Sequence, residues 1–206
     1  MNKKVVLAIA LVTIGVFGRI VFRDILPSTP HIYININGVT LPIFMMDMFF
    51  LVAIISMLSG ILLGKRYAVA VPFTVISLTD LYYGNNFILL FTWSGFIMLG
   101  LLGYIWRERY GISKRSAILS PILGAGAVIV YDIWTNFGCW LGWYPHNLEG
   151  LILCYTLALP FTLWHLVSTI AGLFTVSTIL AVWKEHGETI KRKMVKKEVL
   201  PLDLSQ

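Results

Sequence analysis

The run IFMMDMFFLVAIISMLSGILLGKR at residues 43–66 decides the class of fold. Residues 43–63 are almost wholly apolar, and Gly64, Lys65 and Arg66 then end the run abruptly. A bilayer core takes a helix of about 20 apolar residues, because the core is about 30 Å thick and each helical residue advances about 1.5 Å. The run therefore predicts a transmembrane helix that stops at a short basic connection.

The composition of the whole chain is typical of a membrane protein. The 206 residues are 58% hydrophobic and 13% charged, and the mean hydropathy is +0.81, whereas a soluble domain is about 25% charged. Apolar runs predict an all-α polytopic membrane helix bundle of about six spans, at about 5–22, 43–63, 67–83, 87–106, 116–134 and 161–184. Pro160 divides the last apolar stretch, so residues 149–159 are predicted to form a short interfacial or re-entrant helix.

The positions of the basic residues predict the topology, because cytoplasmic connections carry the excess of lysine and arginine. Of the 16 basic residues, 14 lie on one face of the predicted bundle, and Arg19 and Arg23 lie toward the other. This asymmetry favours an even number of spans and a multi-pass protein of the cell membrane with both termini cytoplasmic. We predict a single transmembrane bundle at 1–186 and a basic cytoplasmic tail at 187–206.

The formal net charge of +6 does not indicate a nucleic-acid partner once the charges are placed against the membrane. The basic tail is predicted to be a solvated helix extension held near anionic lipid. Docking of the tail to a cytoplasmic partner is the alternative.

The connections on the uncharged face, at about 24–42, 84–86 and 135–148, combine aromatic and amide side chains. Such side chains stack on a flat organic ligand and hydrogen-bond to its edge. Tryptophan and tyrosine also form belts at helix ends in membranes, which is the alternative explanation. The residues predicted to line a binding site are Asp80, Asn85, Asn136, Trp140 and Tyr144.

The carboxylates of Asp80 and Asp132 lie in or close to apolar spans, where an unpaired charge is costly. Arg19 is the cation that this topology places nearest to the carboxylates, so a structural ion pair of Arg19 with Asp132 or Asp80 is predicted. His165 is predicted to be a hydrogen-bonded core histidine, with a ligand or proton-relay role as the alternative. An intramembrane enzyme, the last of three functional interpretations, would require polar residues at catalytic distance, for instance His165 with Asp132.

Catalytic and metal-binding motifs are absent from the sequence. There is no GxSxG elbow, HExxH pair or Walker loop, so the chain is predicted neither to be an enzyme nor to hydrolyse ATP. His31 and His146 lack a ligand spacing, and Cys139 and Cys154 lie alone in apolar surroundings. No metal and no cofactor are therefore predicted.

Small residues four apart on helix two are predicted to let a neighbouring helix approach closely, as is usual in lipid. They are Ser56, Gly60 and Gly64. Packing inside the bundle is the preferred interpretation, and an external subunit surface is the alternative.

Two segments resemble a known family. SLTDLYYG at 77–84 contains a Leu-x-Asp-x-x-x-Gly element, and TNFGCWLGWYPHNLEGLILCYTLALPF at 135–161 contains a T-N-F-G…Y-P…G-L…C-Y…A-L-P-F signature. With the spacing of the spans between them, they resemble a family of uncharacterised prokaryotic integral membrane proteins over about residues 19–183.

That family is in turn similar to the substrate-binding S components of energy-coupling-factor (ECF) transporters. The resemblance implies a six-helix bundle whose ligand lies near the outer face, with a membrane T component and ATPase subunits as partners. It implies a substrate-binding membrane subunit for uptake of a small vitamin-like molecule. The alternative is a structural or assembly subunit of a larger membrane complex, with no ligand of its own, whose outer mouth would be filled by Trp140, Trp143 and Tyr144.

Overall fold

The computed structural model of the protein describes residues 2–25, 31–36, 39–84 and 86–199. These residues form six helices and one two-stranded sheet, so the predicted all-α class is confirmed apart from that sheet. In chain order the elements are α1 (Lys3–Ile25), β1 (His31–Ile36), β2 (Val39–Met45), α2 (Phe49–Leu63), α3 (Lys65–Tyr83), α4 (Leu89–Tyr110), α5 (Lys114–Trp143) and α6 (Leu148–Val199).

The β-hairpin corrects the predicted connection at 24–42 and the predicted start of helix two at residue 43. Strands β1 and β2 are antiparallel, with His31 opposite Met45 and Ile36 opposite Val39. Both strands are rich in β-branched residues, which favour strands. Helix α2 consequently begins only at Phe49.

Helices α1, α4, α5 and α6 are long and apolar enough to cross a membrane, which agrees with a membrane location. Helix α2 has 15 residues and is therefore only about 22 Å long. Nearly all of its side chains are buried, because α1, α3, α4 and α6 pack around it. Length and composition thus support four spans among the described residues, and a six-span topology stays a prediction.

Helices that follow one another along the chain run in opposite directions. Gly15 of α1 packs on Ile55 of α2, and Gly18 packs on Leu51, so these two helices are antiparallel. We call the end with β1, β2 and the connection between α5 and α6 the hairpin end. The opposite end is the basic end, where Arg107 of α4 lies near the α2–α3 connection and Lys184 of α6 donates to the Ile112 carbonyl in the α4–α5 connection.

Helix α6 corrects the predicted break at Pro160, since it continues from Leu148 to Val199. A proline inside a helix removes one backbone donor, but packing against a neighbouring helix compensates within a bundle. Here α6 packs along α5, in the most extensive helix pairing of the described residues. The same helix extends into the predicted tail, of which 187–199 are helical and 200–206 lie outside the described residues.

Glycines bring the backbones of α2, α3 and α4 into direct contact. A Cβ atom on Gly60 would overlap the carbonyl oxygen of Gly100. One on Gly100 would overlap the carbonyl oxygen of Ala68, and one on Gly103 would overlap that of Met57. Helix α4 is therefore seated against both α2 and α3 through positions that have no room for a side chain.

The predicted stripe of small residues on helix two is only partly a packing surface. Gly60 makes the close approach to α4, and Ser56 is fully buried with its hydroxyl bonded to the Val52 carbonyl. Gly64 instead follows the end of α2, where its φ of 100° lies in the region that favours glycine. Its role is to turn the chain into α3.

We predict that Gly60→Ala lowers the free energy of unfolding by about 1–3 kcal/mol, because the methyl group forces α2 away from α4. Gly126→Ala is the matched control, since nothing lies within 4 Å of a Cβ atom there. Thermal unfolding of both variants in detergent micelles measures the difference. A Gly60→Ala protein as stable as the control would contradict the close contact.

Candidate functional site

Two clusters of charged side chains lie inside the helix bundle at nearly the same level. Counted along α1, α3, α5 and α6 from the basic end, Arg19, Asp80, Asp132 and His165 lie about 22–29 Å away, at 1.5 Å per residue. A hydrocarbon core is about 30 Å thick, so this level is close to its far boundary. The clusters therefore belong to the hairpin half of the bundle.

The first cluster, which we call the arginine cluster, consists of Arg19, Thr79, Asp80 and Trp93. Arg19 Nη1 donates to Asp80 Oδ1 at 2.8 Å and also to the Thr79 hydroxyl. The Trp93 indole donates to Asp80 Oδ2 at 2.7 Å. Both carboxylate oxygens of Asp80 are therefore bonded within the protein, which is the arrangement expected of a structural ion pair.

The arginine cluster decides between the two predicted partners of Arg19. Arg19 pairs with Asp80, and Asp132 bonds elsewhere, so a pair of Arg19 with Asp132 is corrected. The reason is topological, because α1 packs on α2 and α3, whereas Asp132 lies on α5.

The second cluster, the Asp–His–Asp triad, consists of Asp47, His165 and Asp132. His165 Nδ1 lies 2.8 Å from Asp132 Oδ1, and His165 Nε2 lies 3.0 Å from Asp47 Oδ2. The His165 and Asp132 side chains are 9% and 8% exposed, whereas that of Asp47 is 41% exposed. The triad therefore connects a partly open carboxylate to a buried one through an imidazole ring.

Local structure fixes Asp47 at the junction of β2 and α2. Its Oδ1 accepts from the Phe49 backbone N–H at 3.0 Å, which satisfies a free donor of the first turn of α2. Its backbone carbonyl accepts from the Trp164 indole at 3.0 Å. The Phe49 ring stacks on the His165 ring, with centroids 4.0 Å apart.

One polar atom of the triad lacks a partner. Asp132 Oδ2 is buried without a hydrogen bond, and so is the Thr169 hydroxyl one turn farther along α6. An unsatisfied buried acceptor is costly and usually has a functional explanation.

Tyr131 precedes Asp132 on α5 and packs among aromatic rings. Its ring is buried, with centroids 4.6 Å from that of Phe49 and 4.7 Å from that of Phe96. The Phe49 ring also stacks on His165, so the triad lies against an aromatic group of Phe49, Phe96 and Tyr131.

Sequence reasoning singled out Asp132 and His165 but missed Asp47. Asp47 lies in an apolar run, so the criterion that marked Asp80 and Asp132 applies to it equally. The convergence of His165 with Asp132 that an enzyme would require is present. However, both ring nitrogens of His165 face carboxylates, and no nucleophile bonds to the ring among the described residues.

The predicted binding residues do not form one site. Helices α3 and α5 are not in contact, so Asp80 is separated from Asn136, Trp140 and Tyr144. The Trp140 indole donates to the Pro145 carbonyl at 2.9 Å. Asn136 and Tyr144 are half-buried, and Asn85 lies outside the described residues.

Metal binding finds no support in the part of the chain that the structure describes. No group of three or more histidine, cysteine, aspartate or glutamate side chains there is arranged to hold a metal ion. In the triad the imidazole ring itself separates the two carboxylates.

We predict a coupling free energy of about 1–2 kcal/mol between Arg19→Gln and Asp80→Asn in a double-mutant cycle. Lys114 and Glu185 form the matched control pair at the same N–O distance of 2.8 Å, but their side chains are 65% and 52% exposed, against 27% and 13%. Exposed pairs contribute about 0–1 kcal/mol, so the control cycle gives the smaller value. Unfolding free energies in detergent micelles measure both cycles, and equal couplings would contradict a structural role for the arginine cluster.

Comparison with known proteins gives one match. Residues 1–189 match the model of a "Family of unknown function (DUF6580)". No curated protein and no solved structure matches the chain.

Proposed function

The chain belongs to the family of unknown function DUF6580, and we propose that it is a substrate-binding membrane subunit for uptake of a small, vitamin-like molecule. The ligand lies at the hairpin end, which is the extracytoplasmic side, and the basic end is cytoplasmic. The sequence resemblance to ECF S components supports this function, and the position of the two charged clusters at one level of the bundle is the observation that carries it.

The argument begins with the short helix at the centre. Helix α2 starts at Phe49, whereas its neighbour α4 and the adjacent α5 have 22 and 30 residues. At the level of Phe49, the bundle presents the charged clusters, the Tyr131 ring and strand β2. Charges in a membrane bundle are costly, and their gathering at one level of several helices is a common sign of a ligand or ion site.

The chemistry at this level suits a small organic ligand. Aromatic rings of Phe49, Tyr131 and His165 offer apolar faces, and the partly exposed Asp47 offers a hydrogen-bond acceptor. Asn136 and Tyr144, half-buried nearer the hairpin end, add polar groups to the same side of the bundle. Asp80 contributes by positioning Arg19 and Trp93.

The resemblance also supplies the proposed partners. A membrane T component and ATPase subunits would provide the energy, since the chain has no phosphate-binding loop of its own. The protein is proposed to be non-enzymatic and to need no cofactor. Its basic α6 extension is proposed to lie near anionic lipid.

A structural or assembly subunit is the second candidate, and a specific observation favours it. The Trp140 indole is occupied by the Pro145 carbonyl, and its ring contacts Phe137 and His146. The aromatic side chains at the end of α5 and just after it therefore contact one another without a ligand. On this alternative, the exposed Trp143 would pack against another protein.

Native mass spectrometry of protein purified gently from its host membrane tests the two candidates. We expect a stoichiometric small molecule with the unmodified protein. Asp47→Asn should lower its occupancy at least tenfold, whereas Glu185→Gln at the basic end should retain it. Circular dichroism and thermal unfolding verify that Asp47→Asn is folded.

A stable complex with other membrane proteins and no small molecule would favour the assembly subunit. If the unmodified protein and folded Asp47→Asn bind the small molecule equally, the binding site does not include the triad.

A further inference from the structure

The hydrogen bonds of the triad require a proton. An ionised carboxylate only accepts hydrogen bonds, and a neutral imidazole has one N–H donor and one bare nitrogen. Yet both nitrogens of His165 lie within 3.0 Å of a carboxylate oxygen. With two ionised carboxylates and a neutral ring, one of these contacts would bring two lone pairs together, so one additional proton is needed to form both bonds.

The charge around the triad gives the same result. Two ionised carboxylates and a neutral ring carry a charge of −2, and a proton on the ring reduces it to −1. Arg19 and Asp80 cancel each other as an ion pair, and a tyrosine phenol such as that of Tyr131 ordinarily carries no charge at neutral pH. The ring that stacks on His165 belongs to Phe49 of α2, which is apolar and carries no charge. Excess negative charge inside a bilayer is costly, which favours retention of the proton.

The open and closed sides of the triad differ. Asp47 is 41% exposed and lies at the hairpin end, so water there has access to its carboxylate. Toward the basic end, the fully buried Val128 lies one turn from Asp132 on α5, and the fully buried Leu173 lies two turns from His165 on α6. Neither Asp132 Oδ2 nor the Thr169 hydroxyl has a hydrogen-bond partner, so the chain of hydrogen bonds ends at Asp132.

We propose that Asp47, His165 and Asp132 bind one proton between them and exchange it with water at the hairpin end alone. Hydronium gives its proton to Asp47, which passes it to Nε2 of the neutral ring, and the resulting imidazolium donates to both carboxylates. Release follows the same path in reverse. The bound proton ties the β2–α2 junction to α5 and α6, because these two bonds join Asp47 to residues of both helices.

This inference rests on the geometry of the triad and not on the proposed ligand, so it is tested on protein free of small molecules. The chain has four histidines. Replacing His31, His146 and His186 with glutamine leaves His165 as the only imidazole. Nitrogen-15 NMR of histidine-labelled protein in lipid nanodiscs then reports directly how many ring nitrogens carry hydrogen.

At neutral pH we expect two protonated ring nitrogens. In Asp47→Asn the signal should change to a neutral ring with its hydrogen on Nδ1, since an asparagine amide can donate to a bare Nε2. Glu149→Gln, which removes an exposed carboxylate at the same end, should leave the signal of the imidazolium unchanged. A neutral His165 ring in the protein with an intact triad would overturn the proposal. This measurement requires no substitution in the triad.

Proton flux tests the restriction to one end. Vesicles that contain the protein and an internal pH-sensitive dye should hold an imposed pH gradient as long as protein-free vesicles do. Faster decay of the gradient that depends on His165 would show a path through to the basic end and would overturn the one-ended site. The NMR and proton-flux results do not depend on whether native mass spectrometry finds a ligand, so this proposal and the proposed function can fail separately.

Discussion

A charged side chain inside a bilayer must find its partners within the protein, because lipid supplies neither water nor counter-ions. In this protein Arg19 and Asp80 join α1 to α3, while Asp47, His165 and Asp132 join the β2–α2 junction to α6 and α5. The Trp93 indole of α4 also donates to Asp80, so the two sets of bonds link all six described helices around a single level. The hairpin half of the bundle depends on them.

Close backbone packing organises the basic half in a different way. There α4 lies against α2 and α3 at glycines that leave no space for side chains, so van der Waals contact replaces polar bonding. A tightly packed basic half and a polar hairpin half give the bundle two regions of different chemistry. The two charged clusters lie in the second region.

The triad has two properties that a purely structural ion pair does not need. One of its carboxylates is partly exposed, and the other has a buried oxygen with no partner. The arginine cluster, in which both oxygens of Asp80 are bonded, lacks that unsatisfied oxygen. This difference separates a cluster that holds helices together from one that is proposed to exchange a proton and to face a ligand.

The sequence by itself determined the helical membrane class, the bounds of α1, α3 and α4 to within four residues, and the need of Asp80 and Asp132 for partners, because hydropathy and charge act locally. The predicted end of the fifth helix at residue 134 and the predicted connection at 135–148 were wrong, since α5 continues to Trp143. Only the tertiary structure decided that Arg19 meets Asp80 and that His165 joins Asp132 to Asp47, since such pairs depend on which helices touch. The hairpin and the continuity of α6 through Pro160 also depended on packing. Contacts between distant segments overruled the local signals there.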